Sequence, residues 1–180
     1  MEPGSLASRG GDAAGLLLHR SVWPDQTRPQ PQGEGRWPSG RNRQRHVKQL
    51  QRTRLHAKLK DSDTSSDCAA NSYGQVREFF REHRCDALVR ALIEVRDGRA
   101  VALVAVAVVD MPDEQVAIAL KRLVDVHGTG TITELAGKRF TGRFYASRRE
   151  DTTVVNAQAE PVGRAAAAVA LAELAARTLR

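Results

Sequence analysis

The sequence predicts an α+β domain: a mainly antiparallel sheet of about five strands with packed helices, preceded by a disordered basic extension. Three observations support this class. Apolar runs separated by turn signals are confined to residues 72–180, a hairpin signal joins two of these runs, and residues 1–40 are rich in Pro and Gly. Only the second part can bury enough apolar surface to offset the chain entropy lost on folding.

We predict three parts along the chain. Residues 1–40 form a disordered Pro/Gly-rich extension, residues 41–71 a basic segment with helical potential and a polar linker at 61–71, and residues 72–180 the α+β domain. The net charge of +7 is unevenly placed. Residues 1–71 hold 12 basic and 7 acidic residues, whereas residues 72–180 hold 16 and 14, so basicity is a property of the extension.

The first predicted elements of the domain are a helix at 73–83 and a β-hairpin. Ser72 is the predicted N-cap, because its hydroxyl can accept an orphan backbone N–H. Runs 87–96 and 100–111 are strand-like and are joined by Asp97-Gly98-Arg99, in which Gly98 tolerates a tight hairpin turn. The second run is apolar on both faces, so we place it at the centre of the sheet.

The remaining elements complete the order α-β-β-α-β-β-β-α. Asp110 is the predicted cap of a helix that Gly128 ends. Three strands follow at 131–135, 138–148 and 152–159. An Ala-rich helix at 164–179 closes the chain, with Glu173 and Arg177 as an i,i+4 ion pair. Hairpin connections favour an antiparallel sheet with helices packed on it.

The two cysteines, Cys68 and Cys85, predict no disulfide scaffold, since such scaffolds need denser cysteine usage. We expect two reduced thiols. A single tether between linker and domain is the alternative if the protein is exported.

Two sets of residues are candidate binding sites. Between positions 36 and 60 the chain has nine basic residues and no acidic one, which predicts a polyanion-binding segment: Arg36, Arg41, Arg43, Arg45, Lys48, Arg52, Arg54, Lys58 and Lys60. Polar residues of the predicted sheet are candidate ligand contacts, with a solvated outer face as the alternative: Thr133, Tyr145, Asn156 and Gln158.

No catalytic, cofactor-binding or metal-binding signature stands out. The glycines of 127–131 follow a predicted helix, whereas phosphate loops precede one. Cys85 with His83 or His127 could form a nucleophile and base, but no elbow or third orienting group is identifiable. Helix capping explains the acidic cluster of Asp110, Asp113 and Glu114. We expect no cofactor, and an enzymatic function is the less favoured interpretation.

The leading functional prediction is therefore a non-enzymatic interaction or ligand-binding domain. The alternative is a nucleic-acid-binding accessory protein that uses the basic segment 36–60. A protein partner or a homo-oligomer is also compatible with the sequence. No run approaches the roughly 20 apolar residues of a membrane span.

Four segments resemble a family of uncharacterised actinobacterial α+β proteins over residues 72–180: VVDMPDEQ (108–115), LVDVHGTGTITEL (123–135), RFTGRFYASRR (139–149) and TVVNAQAEPVGR (153–164). The resemblance supplies no activity and no functional residue. It implies export or membrane tethering through an N-terminal apolar segment. The sequence shows no such segment, so we expect a cytoplasmic location by default and export if the resemblance holds.

Overall fold

The computed structural model describes residues 39–135 and 140–179, with side chains from Arg45 onward. These residues belong to one compact unit. Residues 1–38, which hold most of the predicted disordered extension, lie outside the described part. The described elements are, in chain order, α1 (Ser39–Arg52), β1 (His56–Ser65), α2 (Gly74–Glu82), β2 (Ala87–Asp97), β3 (Ala100–Asp110), α3 (Glu114–Val124), β4 (Phe144–Glu150), β5 (Thr153–Pro161) and α4 (Ala166–Thr178).

The five strands form one sheet in the order β1-β2-β3-β5-β4, and every neighbouring pair is antiparallel. The predicted α+β class is therefore confirmed. The β2–β3 hairpin is present as predicted, with Gly98 at φ +55° in its turn. The predicted ion pair on the last helix is also present, at 2.6 Å between Arg177 and Glu173.

Strand β3 lies at the centre of the sheet and is covered on both faces. On one face, Val104 and Val106 pack in a core that includes Leu50 of α1 and Leu171 of α4. On the other face, Val109 packs in a core with residues of α2 and α3: Val76, Phe80, Ala117 and Leu120. The molecule is thus a three-layer sandwich in which alternate residues of each strand enter opposite cores.

The predicted boundary at Ser72 and the linker at 61–71 are wrong. Residues 61–65 belong to β1, which pairs with β2 along its whole length. Leu50 and Leu55 are buried in the core, so α1 is part of the domain. Strand β1 could not be recognised in the sequence, because it is an edge strand with mostly exposed side chains. Such a strand lacks an alternating apolar pattern.

The segment 131–135 is not a strand, and β1 supplies the fifth strand instead. Ile132 forms only a single bridge with Ser72. The segment 131–135 lies over the sheet face that α2 and α3 partly cover, and it forms backbone–backbone hydrogen bonds with Asn71 and Tyr73 rather than with a strand.

Two predicted helix caps are also wrong. Ser72 is fully buried, and its hydroxyl donates to the Cys68 carbonyl at 2.7 Å instead of capping α2. Asp113, not Asp110, caps α3 by accepting the Val116 amide at 2.9 Å. Asp110 accepts the Thr153 hydroxyl across the β3–β5 pair at 2.5 Å. Helix α2 begins at Gly74 and α3 at Glu114, so neither predicted side chain stands at the N-cap position.

Cys68 and Cys85 form a disulfide, so the expectation of two reduced thiols is wrong. Their Cα atoms are 6.2 Å apart, within the range that a disulfide bridges. The pairing of β1 with β2 brings them together, because Cys68 follows the end of β1 and Cys85 precedes the start of β2. The bond closes a loop that contains α2.

Two glycines allow a close backbone contact between the start of α2 and the connection after α3. The Tyr73 amide donates to the Thr131 carbonyl at 3.0 Å, and the Gln75 amide donates to the Thr129 carbonyl at 2.7 Å. A β-carbon on Gly130 would lie 2.2 Å from the Tyr73 carbonyl oxygen, and one on Gly74 would lie 2.6 Å from that of Thr129. We call this contact the glycine clamp.

We expect Gly130→Ala to destabilise the protein more than Gly128→Ala. Both glycines have a left-handed backbone, with φ of +95° and +90°, but a β-carbon at Gly128 meets nothing within 4 Å. Gly128→Ala should therefore lower the free energy of unfolding by about 1–2 kcal/mol, because of its backbone conformation alone. Gly130→Ala should lower it by at least about 2 kcal/mol more, because its β-carbon would collide with the backbone. Urea unfolding measures both values, and equal losses would contradict the clamp.

Removing the disulfide in a Cys68→Ala/Cys85→Ala variant should lower the free energy of unfolding by about 3 kcal/mol, the loss typical of a loop of this size. The two cysteines are 17 residues apart in sequence. Chemical unfolding of the two proteins under non-reducing conditions tests the value. Mass spectrometry of alkylated parent protein is the companion measurement, and two modifiable thiols would contradict the bond.

Candidate functional site

The sheet face that carries α2 and α3 is polar over part of its area. Tyr145 of β4 lies opposite Gln158 of β5, and Ser147 lies opposite Asn156. These four side chains share one face because residues two apart in a strand point the same way. The connection between α3 and β4 covers them, and Phe140 of that connection packs with Leu92 and Ala105 of the sheet.

A cavity of about 260 Å³ lies between this connection and the sheet. Its lining combines hydrogen-bonding groups with aromatic rings: Tyr73, Asp125, His127, Phe140, Tyr145 and Gln158. Tyr73 and Val126 are among the most exposed large apolar side chains of the described residues, and both border the cavity. We call this space the connection cavity.

Asp125 is the hydrogen-bonding centre of the connection cavity. One carboxylate oxygen accepts the hydroxyls of Tyr145, at 3.2 Å, and of Ser147, and the other accepts the Lys121 ammonium. Burial acts to raise the pKa of Asp125, but the bonds from Lys121, Ser147 and Tyr145 outweigh it and lower the pKa overall. Burial, with the Asp125 charge, raises the pKa of Tyr145 above its ordinary value. The carboxylate is thus ionised and the phenol neutral at pH 7.

Two buried side-chain amides of β5 form hydrogen bonds with the connection between α3 and β4. Asn156 donates to the Thr131 hydroxyl at 2.9 Å, and Gln158 donates to the Glu134 carboxylate at 3.2 Å. Both amides are more than nine-tenths buried. Their hydrogen bonds fix the height of the connection above the sheet, and hence the depth of the cavity.

The structure brings together three of the four predicted sheet-face residues. Tyr145, Asn156 and Gln158 lie on one face, and Tyr145 and Gln158 border the connection cavity. Thr133 lies in the covering connection, where its side chain is exposed and its carbonyl accepts the Arg90 guanidinium at 3.0 Å. Arg90 also binds Asp63 of β1, and that hydrogen bond lowers the pKa of Asp63.

Sequence reasoning missed three residues of the cavity, namely Tyr73, Asp125 and His127. Asp125 and His127 follow the end of α3, and nothing in the spacing signals that they fold back onto β4. The one available signal was the two-residue spacing of Tyr145 and Ser147, which places their hydroxyl groups on the same face of a strand. A carboxylate partner for such a pair is a reasonable expectation.

Among the described residues, no three His, Cys, Asp or Glu side chains are grouped as a metal site requires. The Cys85 sulfur is held in the disulfide, so it is not a free thiol nucleophile. The glycines of 127–131 follow the C-terminal end of α3, as the sequence indicates, and they serve a turn and the glycine clamp.

The predicted polyanion-binding residues are divided between two elements and the turn that joins them. Arg36 lies outside the described residues, and Arg41 and Arg43 belong to α1 without described side chains. Arg45 pairs with Glu150 at 3.7 Å, and Lys60 pairs with Glu94 at 3.8 Å. The others are exposed on α1, the following turn and β1: Lys48, Arg52, Arg54 and Lys58.

His46 anchors the buried side of α1. It is 3% exposed, and its Nδ1 has no hydrogen-bond partner among the described residues. Burial, with the nearby charges of Arg148 and Arg45, lowers the pKa of His46 from 6.5 to about 4, although Glu150 acts in the opposite direction. The imidazole is therefore neutral in the folded protein at pH 7. Gln49 adds a second anchor by donating to the Thr178 carbonyl of α4 at 2.6 Å.

Comparisons of the chain with protein-family models, curated proteins and solved structures gave no significant match. The resemblance of residues 72–180 to an actinobacterial family therefore stays a prediction. Among the residues that the structure describes, no helix has the length and hydropathy of a membrane span.

We expect the free energy of unfolding to fall as the pH drops from about 6.5 to about 4. The unfolded chain binds a proton at His46 near the ordinary pKa of 6.5, whereas the folded protein resists it down to about 4. The stability due to this residue is complete above pH 6.5, and its loss should be on the order of 3 kcal/mol by pH 4.

The measurement is urea unfolding at several pH values, with His46→Gln as the comparison. The variant should show a flatter profile over this interval, whatever its stability at pH 7. A profile as steep as that of the parent would contradict the assignment to His46.

Proposed function

We propose that this domain binds a small, neutral, hydroxyl-bearing ligand in the connection cavity and carries out no reaction on it. The observation that supports the proposal is the composition of the cavity wall, where Asp125, Tyr145 and Gln158 offer hydrogen bonds beside the rings of Tyr73 and Phe140. Small-molecule sites typically combine an apolar lining with a few converging polar groups.

The volume of the cavity limits the size of the ligand. At about 260 Å³ it falls just below the usual range of drug-sized ligand pockets, roughly 300–1,000 Å³. A ligand of monosaccharide or polyol size is the class that such a volume supports. The aromatic side chains at its border offer a flat apolar contact, and the polar floor offers partners for hydroxyl groups.

The charge of the cavity supports a neutral ligand. Among the described residues that line the cavity, Asp125 is the only carboxylate, and none is a lysine or arginine. The Asp125 carboxylate therefore disfavours an anion, and the Lys121 ammonium that is already paired with this carboxylate weakens the attraction for a cation. Hydroxyl groups, which donate and accept, match this environment best.

The same groups are poorly suited to acid–base catalysis at neutral pH. A general acid or base works best when its pKa lies near the working pH. The pKa of Asp125 is lowered and that of Tyr145 is raised, so both move away from neutrality. This supports a binding role for the two residues.

The disulfide supports a location in which such bonds persist, and we propose that the protein acts in an oxidising compartment outside the cytosol. Disulfides between structural cysteines are rare in the reducing cytosol. Both sulfurs are buried or nearly so, as expected of a structural bond.

Nuclear magnetic resonance titration of the ¹⁵N-labelled full chain tests the ligand proposal, with a panel of monosaccharides and polyols as the probes. At least one compound should shift the amide signals of residues 124–131 and 140–145 in a saturable manner. His127→Ala and Tyr145→Phe should each weaken that binding about three- to tenfold, the loss of one hydrogen bond.

His83→Ala is the matched control, since it removes an imidazole from the far end of α2 and should leave the affinity unchanged. Two results would refute the proposal: no saturable shift with any member of the panel, or binding that Tyr145→Phe and His127→Ala leave intact.

A further inference from the structure

A second concave surface lies where β1 begins, near the turn between β2 and β3 and apart from the connection cavity. It encloses about 560 Å³ and is lined mainly by charged and polar side chains: Gln51, Arg54, His56, Lys58, Glu94 and Arg96. We call it the basic groove. None of its lining residues borders the connection cavity.

The basic groove carries a positive charge excess. His56 pairs in register with Arg96, and Lys58 with Glu94, so these side chains share one side of the β1–β2 pair. A register shift between Leu59 and Asp61 lets Lys60 also reach Glu94, at 3.8 Å. Glu94 is the only carboxylate in the lining, and the hydrogen bond from Arg96 lowers its pKa. Several cations thus share one already paired anion.

Arg54 has a left-handed backbone conformation, which is unfavourable for residues other than glycine. Its φ is +64°, and its amide donates to the Gln51 carbonyl at 3.1 Å where α1 ends. This is the left-handed position after a helix, where glycine is the usual residue because it has no β-carbon. Backbone strain of this kind is characteristic of functional sites. Arg54 therefore holds this position at a conformational cost that glycine would avoid.

We propose that the basic groove binds the phosphodiester backbone of single-stranded nucleic acid. His56 and Lys58 are spaced about 7 Å apart along an extended strand, which suits a linear chain of phosphate groups. The surface is a shallow concavity along the strand, to which a flexible nucleic-acid strand can adapt. Among the described residues no Phe, Tyr or Trp ring lines the groove, so we expect contacts to the phosphates without a sequence preference.

The test is fluorescence anisotropy of a labelled oligo(dT) strand with the full chain, over a range of NaCl concentrations. Arg54→Gly should weaken binding roughly three- to tenfold at low salt and reduce the slope of log affinity against log salt by about 0.7, the share of one phosphate contact. The same substitution should leave the urea midpoint equal or higher, because glycine relieves the backbone. Loss of binding with gain of stability separates a functional role for Arg54 from a structural one.

Arg122→Gln is the matched control, because Arg122 is exposed on α3 and does not line the groove. It should change neither affinity nor slope. Lys58→Gln is the second groove variant and should behave like Arg54→Gly in binding.

Four results would overturn the proposal. They are no binding of oligo(dT) at low salt, affinity unchanged in an Arg54→Gly/Lys58→Gln variant, equal weakening by Arg122→Gln, and binding of inorganic polyphosphate or anionic vesicles without binding of oligo(dT). None of these four results tests ligand binding in the connection cavity, so the nucleic-acid proposal can be refuted without affecting the ligand proposal.

Discussion

The burial of strand β3 on both faces is the constraint on which the other layers depend. Val104 and Val106 point into one core, and Ala107 and Val109 point into the other. A central strand of this kind is stable only when each face of the sheet is covered. Helices α1 and α4 cover one face, and α2 and α3 cover part of the other. Helix α1 is therefore part of the domain, because Leu50 and the following Leu55 help to cover the first face of the sheet.

The part of the second face that the helices leave uncovered explains where the connection cavity lies. The connection after α3 closes over this area, held by the glycine clamp at one side and by the amides of Asn156 and Gln158 beneath. The loop covers this area incompletely, and space remains beside Tyr145. The position of the connection cavity is thus set by the part of the sheet face that α2 and α3 leave uncovered.

The sequence was informative where burial is continuous and uninformative where it is one-sided. The hairpin of β2 and β3 and the closing helix could be predicted because apolar runs and turn residues coincide there. Strand β1 could not, since only Leu59 and Ala57 interrupt its polar residues and half of an edge strand faces water. Tyr145, Asn156 and Gln158 were predicted from their position on a sheet. Asp125 and His127 were missed because their proximity to Tyr145 arises from the path of a loop, which no local pattern records.

The polar composition of β1 has a consequence for the solubility of the folded protein. An edge strand exposes unpaired backbone groups to which a strand of another molecule can add. Here Lys58 and Lys60 precede Asp61 and Asp63 along that edge. An antiparallel copy could align unlike charges, but it would have to accommodate the irregular register at Lys60 as well. The bulge therefore interrupts the straight template that fibrillar stacking requires, and it favours discrete molecules over polymers.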